Sequence, residues 1–323
     1  MRRRTFIACL GAAAVWPRAA GAQQPKIPRV GYVWIGSAND DSPAIAGLRQ
    51  GLADRGYVLG RSLLLDVFYA EGNPGRIPKL IEELLALDVD VLVTPGTPTS
   101  LAAHKATLTV PIVCVSGDPV GVGLAASLSH PGGNVTGISL LSGDYSAKWL
   151  DLLREAVPKL NRVATLWNPD NPAGQVEMRR LDEVALGLGL TLTRLSVRPQ
   201  DLESSFARID AANFDGLIVT DDPSLEPLIP RIVALGARNR VPTIYAIDVA
   251  VRQGGLMAYS VDFFAIWRRV AGYVDRILRG AHPADLPIEQ ATEIALKINL
   301  KTAKALGLEI PPALLAAADE VVE

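Results

Sequence analysis

Six short segments of the 323-residue chain gather glycine, hydroxyl, carboxylate and aromatic side chains where apolar runs stop. Thr94-Pro95-Gly96-Thr97-Pro98-Thr99-Ser100 leads from such a run into a helical pattern. The free amides and positive dipole end of a helix start attract an anion, and a small carboxylate would fit there. Thr97, Thr99 and Ser100 add hydroxyl donors. Asp118, in Ser116-Gly117-Asp118-Pro119, and Asp221 and Asp222, in Thr220-Asp221-Asp222-Pro223, offer carboxylates to a ligand ammonium. Helix capping is the competing use for Thr97 and for all three aspartates. Trp34, Trp167 and Tyr245 open the segments Trp34-Ile35-Gly36-Ser37, Trp167-Asn168-Pro169 and Tyr245-Ala246-Ile247-Asp248. Their rings could stack on an apolar or aromatic ligand, or simply fill the core. The candidate ligand-binding set is therefore Trp34, Ser37, Pro95, Gly96, Thr97, Ser116, Gly117, Asp118, Trp167, Asn168, Asp221, Asp222 and Tyr245.

Catalytic and cofactor patterns are missing. There is no G-x-S-x-G elbow, no P-loop and no H-E-x-x-H. His104, His130 and His282 are far apart, so neither a triad nor a metal cluster is expected. Gly121-Val-Gly123-Leu-Ala-Ala126 matches a dinucleotide spacing, but residues 116–120, with a proline, separate it from its strand. Cys114 lies within Pro111-Ile112-Val113-Cys114-Val115 and reads as a small core residue. No cofactor is expected, and an enzyme is not supported.

The elements that must position these turns alternate along the chain. Short apolar runs begin near Val30, Leu63, Val89 and Pro111, separated by amphipathic stretches at 43–55, 77–87 and 97–107. The rhythm repeats with runs near Val163, Leu190, Gly216 and Val241 and stretches at 173–188, 201–212 and 224–239. Buried strands alternating with helices imply an α/β fold of two doubly wound parallel-sheet lobes. Ligands in such sheets bind beyond the carboxyl ends of the strands, where the six segments lie. Turn-forming residues at 129–134 and 142–144 suggest a first crossing between lobes, 259–262 a second, before a helix at 263–278, and 281–289 a third. The expected lobes are 27–140 with about 260–285, and 141–259 with about 286–323, joined by a three-segment hinge.

Composition fits a folded chain: 49% hydrophobic, 20% charged and 6% aromatic. A net charge of −2 and a pI near 6.0 argue against nucleic-acid binding. Arg2, Arg3 and Arg4, an uncharged run from Thr5 to Val15, and Ala20-Gly21-Ala22 form an export signal over 1–22. Arg3-Arg4-Thr5-Phe6-Ile7 also fits the twin-arginine route. Cleavage removes four of the 32 basic residues and none of the 34 acidic ones, for a mature net charge of −6. No later segment is apolar enough over about 20 residues to span a membrane.

Several runs carry a family likeness in one order. They are Val91-Leu-Val-Thr-Pro-Gly-Thr-Pro; Pro111-Ile-Val-Cys-Val-Ser-Gly-Asp-Pro-Val-Gly-Val-Gly-Leu; and Ser127-Leu-Ser-His-Pro-Gly-Gly-Asn-Val-Thr-Gly-Ile. Leu166-Trp-Asn-Pro, Gly254-Gly-Leu-Met-Ala-Tyr and Ile298-Asn-Leu-Lys-Thr-Ala-Lys-Ala-Leu-Gly-Leu-Glu-Ile-Pro follow. Across essentially the whole mature chain the sequence resembles the tryptophan/tyrosine type of ABC-transporter substrate-binding proteins. The resemblance implies a type I periplasmic-binding-protein fold, no catalysis, and an aromatic amino-acid-like ligand. It also implies delivery to an inner-membrane permease driven by a cytoplasmic ATPase. By motif position, 94–97, 116–118, 167–168 and 221–222 should line the cleft. With no lipobox cysteine at the cleavage site, a free, monomeric periplasmic protein is expected. A ligand sensor serving a receptor kinase is the alternative reading.

Overall fold

The computed structural model describes residues 26–39, 42–140, 142–198, 202–209 and 213–323. The expected export signal, with Cys9, lies outside the described residues, as do 201 and 210–212 of the expected helix 201–212. The chain first runs through β1 (Arg29–Trp34), α1 (Pro43–Ala53), β2 (Leu64–Tyr69), α2 (Ile77–Ala86), β3 (Val91–Pro95), α3 (Gly96–Ala106), β4 (Ile112–Ser116) and β5 (Val135–Ser139). Then come α4 (Ser142–Ala156), β6 (Arg162–Trp167), α5 (Pro172–Gly187), β7 (Thr191–Ser196), α6 (Leu202–Phe206), β8 (Gly216–Val219), α7 (Ile229–Asn239), β9 (Thr243–Tyr245), α8 (Val249–Arg252) and β10 (Met257–Val261). The tail holds α9 (Phe263–Leu278), β11 (Glu289–Gln290), β12 (Ile294–Asn299), α10 (Leu300–Leu306), α11 (Pro312–Ala316) and β13 (Glu320–Val322).

Two separate sheets result, ordered β11-β5-β4-β3-β1-β2 and β13-β12-β10-β9-β8-β6-β7. All pairings in the first are parallel; in the second only β10–β12 is antiparallel. Strands covered by helices on both faces must be apolar on both, and β3, β4 and β5 are buried along their whole length. Register brings the strand ends level: Tyr32 lies beside Val93 and Val93 beside Val113, while Leu166 lies beside Val219 and Val219 beside Tyr245.

Three local expectations change. Ser142-Gly143-Asp144 opens α4 and is not a turn. This helix gains its stability by packing: Trp149, Leu150 and Leu153 bury against the second sheet, and Trp149 Nε1 donates to Tyr259 O at 2.7 Å. The stretch 224–239 begins as a 3-10 turn, Glu226–Leu228, before α7. The third crossing falls after Gln290, later than expected, because 286–290 is stitched to the first sheet. Thr136 Oγ1 donates to Leu286 O (2.7 Å), Tyr273 Oη to Pro287 O (2.8 Å) and Ile288 N to Leu128 O (2.7 Å). Among the described residues, no helix is long and apolar enough to cross a membrane.

Helix α9 leaves β10 of the second sheet and packs into the core of the first. Its seat depends on two glycines of α1. A methyl at Gly47 would lie 2.4 Å from Phe264 O, and one at Gly51 2.6 Å from Arg268 O and 2.7 Å from Ala271 Cβ. Tyr57 Oη donates to Asp275 (3.0 Å), and Arg268 Nε to Asp54 (3.0 Å), along the same seam. Because α9 is buried in the core of the first lobe, overpacking here displaces more than a surface helix. Gly51→Leu should lower stability by about 1–3 kcal/mol, read as a lower urea midpoint at unchanged slope.

Candidate ligand-binding site

At the end of β3 the chain turns directly into α3, with Pro95 at the N-cap and no capping side chain. Gly96 is left-handed (φ +75°), which favours glycine. The first amides of a helix have no acceptor within it, so those of Gly96 and Thr97 form the donor end of this turn. The hydroxyls have a different use. Thr97 Oγ1 pairs with Ser116 Oγ at 2.8 Å and accepts from Gly117 N at 3.2 Å. Ser100 Oγ pairs with Thr94 Oγ1 (2.9 Å) and donates to Gly96 O (2.8 Å). These buried hydroxyls fasten the turn to β3 and β4.

Opposite stands the loop after β8. Asp222 accepts from Asn171 Nδ2 (2.7 Å), Asn168 Nδ2 (3.2 Å), Ser224 N (2.9 Å) and Ser224 Oγ. Asn171 also caps α5, accepting from Ala173 N at 3.1 Å, so loop and helix are locked together. Asp221 has no such set of donors. It is half-buried, with its surface toward the cavity, and desolvation followed by the nearby Asp222 pushes its carboxyl up to about 7. Glu177, one turn into α5, is buried, and its Oε1 has no partner. Desolvation, then Asp221 and Asp222, hold its carboxyl well above the usual range.

These two loops face one another across a cavity that is partly open to solvent. The first sheet's elements contribute Trp34, Ala44, Pro95, Gly96, Thr97, Val115 and Gly117, with Leu140 just past β5 and Phe263 and Trp267 from α9. The second sheet's side contributes Asn171, Ala173, Gly174, Glu177, Asp221, Pro223 and Glu226. No Lys, Arg or His belongs to this lining. Trp34 and Trp267 sandwich Tyr32: its ring lies 6.5 Å from that of Trp34, stacked, and 5.5 Å from that of Trp267, edge-on. Trp34 Nε1 is buried without a partner. Ser42 Oγ donates across the gap to Glu226 Oε1 at 3.3 Å.

Of the candidate residues, Trp34, Pro95, Gly96, Thr97, Gly117 and Asp221 line this cavity. Ser116 stands behind it, holding Thr97. Asn168 and Asp222 line a smaller neighbouring pocket with Pro98 and Thr99. Asp118 turns away and closes its own loop, accepting from Gly121 N at 2.8 Å. Trp167 is packed in the core beneath α5, and Tyr245 in the core on the other face of the second sheet. Ser37 lies outside the lining. The sequence reading missed Glu177, Asn171, Glu226, Phe263 and Trp267. A signal for Glu177 was present: it interrupts the i, i+4 stripe Ala173, Glu177, Leu181, Ala185, otherwise the apolar face of α5. Burial pushes the Cys114 thiol up to about 12, as suits a core residue. Among the described residues, no group of three or more potential ligands gathers for a metal ion.

Comparison with known proteins places these features in a lineage. A "Tyrosine-binding protein" of Clostridioides difficile is 24% identical over 266 residues, covering 81% of this chain and 76% of that protein. A conserved domain protein from Vibrio cholerae O1 biovar El Tor is 30% identical, with a TM-score of 0.84 over 92% of this chain and 100% of that one. An ABC domain from Streptococcus pneumoniae, solved with L-Trp, superposes with a TM-score of 0.83 at 24% identity, over 91% and 99% of the two chains. The family described as ABC transporter substrate binding protein matches residues 37–322. With that match along nearly its whole length, the chain belongs to the ABC transporter substrate-binding protein family and has the type I periplasmic-binding-protein fold.

Proposed function

We propose that this protein is the extracytoplasmic solute-binding component of an ABC importer and that its cargo is an α-amino acid with an aromatic side chain. The observation that carries this reading is the pair of carboxylates, Glu177 and Asp221, lining a cavity with no cationic side chain and facing a bare helix start. Buried like charges need a cation or a proton. A ligand ammonium supplies the cation, and Glu177 and Asp221 hold it. The ligand carboxylate lies at the amides of Gly96 and Thr97, where the dipole of α3 favours negative charge. The aromatic ring packs on Trp34, Phe263 and Trp267. Covering about 150–250 Å² of ring contributes roughly 4–6 kcal/mol at about 25 cal/mol per Å². Part of that offsets the loss of freedom on closure.

Capture follows from this division of labour. Each lobe supplies half of the head-group contacts, so the ligand binds the closed form better than the open one and shifts the balance toward it. The closed form is then the one that docks on a permease in the inner membrane, whose cytoplasmic ATPase drives transport. The expected export signal, by the Sec or twin-arginine route, delivers the protein to the periplasm. The relatives named for tyrosine and solved with L-Trp support the ligand class.

Titration calorimetry and thermal shift with the twenty amino acids test the reading. Heat and a raised Tm are expected with tryptophan, tyrosine or phenylalanine; neither signal with any of them overturns it. The pH dependence has a definite sign. Asp221, with its carboxyl near 7, must be deprotonated to hold an ammonium. Affinity should therefore fall as pH drops below about 7, by up to tenfold per pH unit from Asp221 alone and more steeply where Glu177, also raised, is protonated too. Asp221→Asn should weaken binding at least tenfold at pH 8 and make the profile shallower, leaving the Glu177 contribution.

A further inference from the structure

Gly96 and Pro223 meet across the cavity. A methyl built on Gly96 would lie 2.4 Å from Pro223 Cγ, 3.2 Å from Cδ and 3.5 Å from Cβ. Gly96 ends the turn after β3 of the first sheet, and Pro223 follows Asp221-Asp222 after β8 of the second. The contact joins two sheets that share no strand pairing, so it forms only when the lobes come together. Both sides are stiff. The Gly96 turn is held by the bonds of Thr97 to Ser116 and Gly117 and of Ser100 to Gly96 itself. The Pro223 loop is held by Asp222 through Asn168, Asn171 and Ser224.

We propose that the Gly96–Pro223 contact is the stop that ends closure and thereby sets the head-group spacing the site accepts. The proposal rests on the amino-acid reading above. The anion-binding amides begin at Gly96 itself, and the ammonium-binding Asp221 lies two residues before Pro223. Two rigid turns pressed into contact bring donor end and acceptor end to one fixed separation. That separation selects an α-amino acid, whose two charged groups share one carbon, over a β-amino acid, which holds them one methylene further apart. A residue larger than glycine at 96 would arrest closure early and leave the gap too wide. Gly96 and Pro223 thus act as positioning residues for both head groups.

The test is calorimetry of L-tryptophan and L-β-homotryptophan, and of the tyrosine pair, on four proteins: wild type, Gly96→Ala, Pro223→Ala and the double variant. Wild type should prefer the α-amino acid at least tenfold. Gly96→Ala should lose tenfold or more of its α-amino-acid affinity and most of that preference. In the Pro223→Ala background the same substitution should cost less than threefold, because removing Cγ and Cδ leaves the new methyl only the Cβ at 3.5 Å. Alanine at the left-handed position 96 is equally strained in both backgrounds, so recovery isolates the clash from the strain. Pro223→Phe, which builds an obstruction from the opposite loop with Gly96 itself unsubstituted, should reproduce the loss of preference and covers the case in which Gly96→Ala does not fold. An unchanged preference in Gly96→Ala or in Pro223→Phe, or an undiminished cost in the double variant, overturns the stop while leaving the amino-acid reading intact. Failure of wild type to bind any of the four compounds, or phenylalanine, overturns both.

Discussion

Two carboxylates without a counter-charge govern the architecture around them. Burial, followed by the charges of Asp221 and Asp222, raises the proton affinity of Glu177, and burial, followed by the charge of Asp222, raises that of Asp221. Burying such a group is costly unless it is neutralised or paired. The fold resolves this differently for each acid. Asp222 is surrounded by amide and hydroxyl donors and becomes a strut for its loop. Asp221 and Glu177 are left facing the cavity, and under the proposed function the ligand ammonium is their partner. An acid that is fully satisfied within the protein shapes a site; an acid that is not defines what the site takes.

The opposing lobe is complementary in kind. Its contribution is neutral in formal charge: a helix start without a capping side chain, and an apolar wall of Trp34, Phe263 and Trp267. Charge of one sign on one lobe and a dipole end with ring surface on the other means that neither half is a good site alone. Under the proposed function, ligand affinity and lobe closure are the same event viewed from two sides. The close seat of α9 on α1 matters here, since α9 carries Phe263 and Trp267 and directly follows one of the crossings between the sheets.

Much of the fold was legible because parallel strands buried on both faces must be apolar throughout, and the helices between them must carry one apolar stripe. Legibility was poorer where packing overrules local preference. Ser142-Gly143-Asp144 has the composition of a turn, yet it starts a helix whose apolar face lies further along. Strand β11 is two residues long and has no pattern of its own; its place in the first sheet comes from bonds made by Thr136, Tyr273 and Leu128. In the site, the rule that ligands lie beyond strand ends selected Trp34, Gly96 and Asp221, which line the cavity. The same rule also selected Asp118, Trp167 and Tyr245. It specifies a level along the strand and says nothing of the direction in which a side chain leaves it.

The alternation of strands and helices within each half, the two-lobe α/β class and the family were determined by the amino-acid sequence alone. Each depends on local periodicity or on motifs contiguous in the chain. Which loops face one another was decided only by the tertiary structure. Gly96 and Pro223 are 127 positions apart, and no local pattern encodes that they touch. Nor could local pattern separate the donor-bound Asp222 from the unpartnered Glu177 and Asp221, because pairing a buried charge is a property of its three-dimensional neighbours.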